Sequence, residues 1–142
     1  MLLGETTWQF AARQTSQLLT SLVFQVHQAA VRRDADSIHD LRVAIRRFVQ
    51  ALRVFSGLLP KHEARSIRKI LKGIMQAAAE TRDRDIALEM LREAGVPPDS
   101  LLFEALAGER KAAEARLLNA IALLDRRSYS AEWRRSLNLV QS

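Results

Sequence analysis

Apolar residues in this chain recur at alternating steps of three and four, and that spacing constrains the fold more than any other feature. From Ile38 the series continues through Leu41, Ile45, Phe48, Leu52, Phe55 and Leu59 without a break. A strand would repeat its apolar residues at every second position. Steps of three and four instead align them along one stripe of an α-helix, and an unbroken stripe belongs to a helix packed in a bundle.

The same pattern marks a first helix from about Thr7 to Arg33, with Trp8, Ala12, Thr15, Leu19, Leu22, Val26 and Ala29 as its seam. Thr6 and Gln9 have the spacing of a capping box. "RRDADS" breaks the pattern, and Asp36 or Ser37 is the expected N-cap of the second helix. Pro60 suits the first turn of a third helix, whose stripe is Ile67, Ile70, Leu71, Ile74 and Ala78 and whose end is expected just before Gly95. A fourth helix follows Pro97 and Pro98, with Asp99 or Ser100 as cap and Leu102, Leu106, Ala113, Leu117, Ala120 and Leu124 as seam. A short last helix, about Ala131 to Val140, should pack Trp133 and Leu137 against the rest. The expected fold is all-α: an antiparallel four-helix bundle of long helices with a short C-terminal helix, formed as a single domain over residues 1–142.

The 142 residues suffice to bury a core without staples, and with no cysteine there is no disulfide or thiolate metal site. No apolar run has the length of a membrane span, and "MLLGETTWQF" lacks the basic region and long apolar core of a signal peptide. A cytoplasmic protein with no membrane partner is expected.

Charge narrows the function. The chain holds 22 Lys and Arg against 16 Asp and Glu, and only four of the 22 are lysine. Arginine offers a planar fork that grips phosphate or carboxylate bidentately. On a helical wheel His39, Arg42, Arg46 and Arg53 fall within about 60° of one another, on one flank of the seam. Arg47 points further round. Between Ile38 and Pro60 the single acid is Asp40, so these cations repel one another unless an external anion relieves them. Arg65, Arg68, Lys69 and Lys72 share a face of the third helix, continued by Gln76. In "ETRDRDIAL", Arg82 and Asp85 fall near the apolar stripe, where Arg82, Asp83 and Asp85 are expected to form a structural ion network. Arg110 interrupts the seam of the fourth helix and requires a buried acid or an anion.

Several chemistries lack their residues. There is no Gly-rich phosphate loop and no Glu-x-x-His pair for a di-metal site. His27, His39 and His62 do not have metal-ligand spacing, and no nucleophile stands out. The sequence therefore predicts no enzyme, no cofactor and no metal. Aromatics are 6% of the chain, too few for a single-strand stacking platform, although phosphate-backbone binding needs none.

"IHDLRVAIRRFVQALRVF" resembles the opening signature of the CHAD domain, the conserved histidine α-helical domain, whose pattern is approximately His-x-Leu-Arg-Val-x-x-Arg-Arg-Leu-Arg. The matching positions here are His39, Leu41, Arg42, Val43, Arg46, Arg47 and Phe48. "ETRDRDIALEML" is similar to that family's Arg-Asp-x-Asp-Val element, at Arg82, Asp83 and Asp85, and "LLDRRSYSAEW" to the region that ends its first bundle. The resemblance implies binding of inorganic polyphosphate and association with polyphosphate granules. The residues expected to contact the polymer are His39, Arg42, Arg46, Arg47, Arg53, Arg65, Lys69, Lys72, Arg82 and Arg110. Members of the family pair two such bundles, so a homodimer or a partner bundle is implied as well.

Two other readings fit part of the pattern. A nucleic-acid phosphate-backbone binder would use the same cations. A histidine phosphotransfer domain is also a four-helix bundle with a helical histidine, but it would show His-x-Leu-Lys-Gly where this chain has His39-Asp40-Leu41-Arg42-Val43.

Overall fold

The computed structural model describes residues 5–139. Five helices follow in order: α1 Thr7–Arg32, α2 Ala35–Val54, α3 Lys61–Glu93, α4 Leu101–Asp125 and α5 Tyr129–Ser136. No strand occurs among the described residues. Neighbours in sequence are neighbours in space, with α1 on α2, α2 on α3 and α3 on α4. This is the all-α helical bundle that the apolar spacing predicts.

The core follows the seams closely. Leu19, Leu22 and Val26 from α1 meet Ile38, Leu41 and Phe48 from α2 and Leu71 and Ile74 from α3. Trp133 of α5 is buried at the same core, stacked on Phe48 with ring centroids 6.2 Å apart and planes within 6°. Tyr129 meets the Trp133 ring edge-on at 5.1 Å. Burial pushes the Tyr129 hydroxyl well above its ordinary pKa, reinforced by the Asp125 carboxylate. Leu137 is fully buried, as expected. Val140 lies outside the described residues. Trp8, expected to begin the α1 seam, is 37% exposed.

Helix ends account for most departures from the sequence reading. The Thr6–Gln9 capping box forms. The N-cap of α2 is Asp34, not Asp36 or Ser37. Arg33 ends α1 in the left-handed region at φ 58°, so the chain reverses within two residues and Asp34 is already in place to cap. Its carboxylate accepts from the Ser37 backbone N–H at 2.9 Å, while Ser37 Oγ donates back to the Asp34 carbonyl at 3.0 Å. Pro60 occupies the N-cap of α3, one position before its expected place in the first turn. At the other end Gly95, φ 78°, follows the last turn. Gly95 N–H donates to the Arg92 carbonyl and Val96 N–H to the Leu91 carbonyl, the paired closure of a Schellman motif that leaves fewer carbonyls unpaired. Ser100 caps α4.

Length differences shape the molecule. α3 has 33 residues and α2 has 20, or about 50 Å against about 30 Å. The end of α3 and the start of α4 therefore run past the α1–α2 turn as a hairpin packed mainly on itself. Leu102 of the expected α4 seam is accordingly 55% exposed, Leu106 is half-buried, and full burial in α4 begins only at Ala113.

Candidate functional site

A groove of about 800 Å³ runs between α2 and α3. Three arginines from α2 line it, Arg42, Arg46 and Arg53, one turn or two apart along the flank of the seam. Opposite them α3 contributes Arg65, Arg68, Lys69 and Lys72. The floor is apolar, formed by Ile45, Val49, Leu71, Met75 and Ala79, and Gln50 and Gln76 complete the rim. Among the described residues no carboxylate lines the groove.

Local helix geometry produces this placement. The seam residues Ile45, Phe48 and Leu52 fix the rotation of α2, and Arg42, Arg46 and Arg53 then emerge on the side facing α3. Leu71 and Ile74 fix α3 in the same way, turning Arg65, Arg68 and Lys72 back toward α2. Both rows of cations sit at the border between core and solvent. Arg42 is half-buried there, and its Nε is buried with no hydrogen-bond partner. A buried donor without an acceptor is costly, and an anion in the groove would supply one.

Several arginines elsewhere contrast with those of the groove. Arg13 pairs with Glu5 at 3.0 Å, Arg116 with Glu80 at 3.1 Å and Arg127 with Glu132 at 2.9 Å. Among the described residues, none of the seven groove cations forms an ion pair with an acid of the chain. Their mutual repulsion is left to solvent and counterions.

Six of the ten residues expected to contact a polyanion converge on the groove: Arg42, Arg46, Arg53, Arg65, Lys69 and Lys72. His39 and Arg47 are exposed and do not line it. His39 lies beyond Arg42 toward the start of α2, and Arg47 points round to the solvent side. Arg82 is half-buried on α3, outside the groove lining.

Arg110 has internal partners. Its Nε donates to Asp85 Oδ1 at 2.9 Å, Nη1 to Glu114 Oε1 at 2.8 Å, and Nη2 to the Arg33 carbonyl at 2.7 Å. Although burial opposes the charged form, these carboxylates prevail and raise its pKa further. The expected ion network around Asp85 therefore exists, but its cation is Arg110 and not Arg82. The requirement for a buried acid at Arg110 is met by Asp85, with the guanidinium placed away from the groove.

Arg68 joins the lining, as the shared face on the third helix allowed. The apolar floor was not evident as part of a site. Ile45 and Leu71 are core residues by their spacing, and only the packing of α2 beside α3 leaves their edges, with Val49 and Met75, open to the groove.

Other chemistry has no comparable arrangement. Among the described residues no group of three or more His, Asp or Glu is placed to hold a metal ion, and no helix is long and apolar enough to cross a membrane.

No curated protein and no solved structure matches the chain. The family model of the CHAD domain matches residues 22–141, which include all of α2, α3 and α4 and both walls of the groove. The chain belongs to the CHAD domain family.

Proposed function

We propose that this protein is a binding module for inorganic polyphosphate, with the polymer lying along the groove between α2 and α3. One observation carries the reading: seven cations from two helices line one groove that holds no carboxylate among the described residues, and none of the seven is paired with an acid of the chain, whereas seven arginines outside it are so paired. Arginine forks on both walls suit an anion whose charges repeat along a flexible chain. The unpartnered Arg42 Nε adds a donor at the groove wall. Family membership supports the same reading. Association with polyphosphate granules in the cytoplasm would follow from it. Among the described residues no Ser, Thr, Cys, His, Asp or Glu lines the groove to serve as nucleophile or general base, so the role proposed is binding and not hydrolysis.

The second reading, a nucleic-acid backbone binder, draws on the same cations. A groove bounded by two adjacent helices suits a slender single polyanion better than a rigid duplex. Competition tests this directly. Long-chain polyphosphate should displace labelled duplex DNA at matched phosphate concentration. DNA that remains bound against an excess of polyphosphate would favour the nucleic-acid reading.

A further inference from the structure

The stripe of α3 that forms one wall of the groove changes character at Ala79. On one side of Ala79 it carries Arg65, Arg68 and Lys72; on the other it carries Asp83, Ile86 and Glu93. The steps between these positions are three, four or seven, so all lie on one face of the helix. Ala79 is the last residue of α3 to line the groove. Asp83 and Glu93 are exposed and form no ion pair among the described residues. Ile86 between them is 44% exposed. Arg82 adjoins Asp83, but it is half-buried and outside the lining. At the opposite end α2 stops at Val54, one residue past Arg53.

From this we infer that the groove selects linear polyphosphates by length, with Asp83 as the residue that ends the run of bound phosphates. The inference rests on the polyphosphate reading of the groove. Arg42 and Arg53 are 11 residues apart on α2, or about 16 Å along its axis. Orthophosphate, pyrophosphate and tripolyphosphate are too short to engage both. Each interior phosphate of a linear chain carries one charge, so the seven cations are matched by a run of about seven phosphates. A longer chain gains no further cation along α3, because the next charge on the stripe is the Asp83 carboxylate, which repels it. The site therefore takes oligomers and polymers of at least about this length, and holds tripolyphosphate weakly.

A length series at several salt concentrations tests this. The ligands are tripolyphosphate, linear chains of about five, seven and ten phosphates, and a long chain, titrated by calorimetry. The salt slope is the readout, because multiple registers on a long chain raise its affinity without releasing more counterions per protein. The slope should rise up to about seven phosphates and level off beyond, and the seven-phosphate chain should bind more than about tenfold tighter than tripolyphosphate. Asp83→Lys should raise the slope for the ten-phosphate chain by roughly one and leave that for the seven-phosphate chain unchanged. Asp99→Lys makes the same change in net charge at an exposed position before α4 and should leave both slopes unchanged. Circular dichroism verifies that both variants remain helical. A slope already full with tripolyphosphate, a wild-type slope still climbing past ten phosphates, or an Asp83→Lys variant that behaves like Asp99→Lys would overturn the inference and leave polyphosphate binding in place. No binding of any chain at low salt would overturn both.

Discussion

Arg110 donates to Asp85 across 2.9 Å, joining two helices whose residues here are 25 apart in sequence. Both side chains are largely buried, at 18% and 14% exposed, and Asp85 Oδ2 already lacks a partner. The same guanidinium closes on the carbonyl of Arg33, the left-handed residue that ends α1. A single cation therefore ties α1, α3 and α4 together just beneath the protruding hairpin.

Removing it should destabilise the fold more than the site. Arg110→Ala leaves Asp85 and Glu114 without their cation, at a cost of about 2–3 kcal/mol for groups buried to this degree. Urea unfolding measures the loss. Polyphosphate affinity, measured where the variant is folded, should stay within about twofold of wild type, because Arg110 lies outside the groove.

The stack of Phe48 on Trp133 should matter similarly to the fold. Phe48 is fully buried, and it sets the rotation of α2 that aims Arg42 and Arg46 into the groove. Phe48→Ala should cost about 3–5 kcal/mol. Trp133 fluorescence should shift to the red as α5 loses its anchor. An unshifted spectrum with full stability would contradict the packing described.

The α2 cap gives the fold an acid-sensitive contact. Hydrogen bonding from Ser37, whose backbone N–H donates to the carboxylate, holds the Asp34 carboxyl below its ordinary pKa, with help from Arg32. A depressed carboxylate pKa stabilises the fold above the unfolded value, near pH 4, and that stabilisation is lost as pH falls through the folded value. Asp34→Asn keeps the cap geometry but not the titration. Its melting temperature should lie below wild type at neutral pH, and the gap should close as pH drops below about 4. A gap that persists unchanged at pH 3 would contradict this.

Salt dependence follows from the lining of the groove. If most of its cations meet phosphate, affinity for polyphosphate should fall by roughly three orders of magnitude between 50 and 200 mM salt, through release of counterions. Titrations by calorimetry or anisotropy at four or five salt concentrations give the slope. A flat dependence would show that few of the cations engage the polymer.

The legible and hidden parts of the molecule differ for physical reasons. The seam from Ile38 to Leu52 could be read because burial on one stripe imposes its period on the sequence, and helix period alone then placed Arg42, Arg46 and Arg53 on one flank; Phe55 and Leu59 continue the spacing but lie past the end of α2 at Val54. Asp34 was hidden as a cap because its role depends on the left-handed backbone of Arg33, which nothing in "RRDADS" announces. Leu102 and Leu106 have seam spacing but no neighbour to cover them, since the lengths of α1 and α2 decide how far cover extends. The partner of Arg110 was hidden because Asp85 lies on another helix. Spacing within one helix says which way a side chain points, and only packing between helices says what it meets.

His39 separates the groove from its family signature. The imidazole is exposed and outside the groove lining, so His39→Ala should weaken polyphosphate binding less than about threefold, within the range of a peripheral contact. A complete loss with the fold intact would assign the imidazole a direct role that its position does not provide.

Two double variants with equal net charge test the central claim most directly. Arg42→Ala with Arg46→Ala removes two cations from the groove, and Arg126→Ala with Arg127→Ala removes two from the exposed end of α4, where Arg127 is already paired with Glu132. Polyphosphate affinity at fixed salt should fall more than about tenfold for the groove pair, at roughly 1 kcal/mol or more per lost charge-assisted contact, and less than about threefold for the other. Equal losses would show that net charge, and not the groove between α2 and α3, holds the polymer.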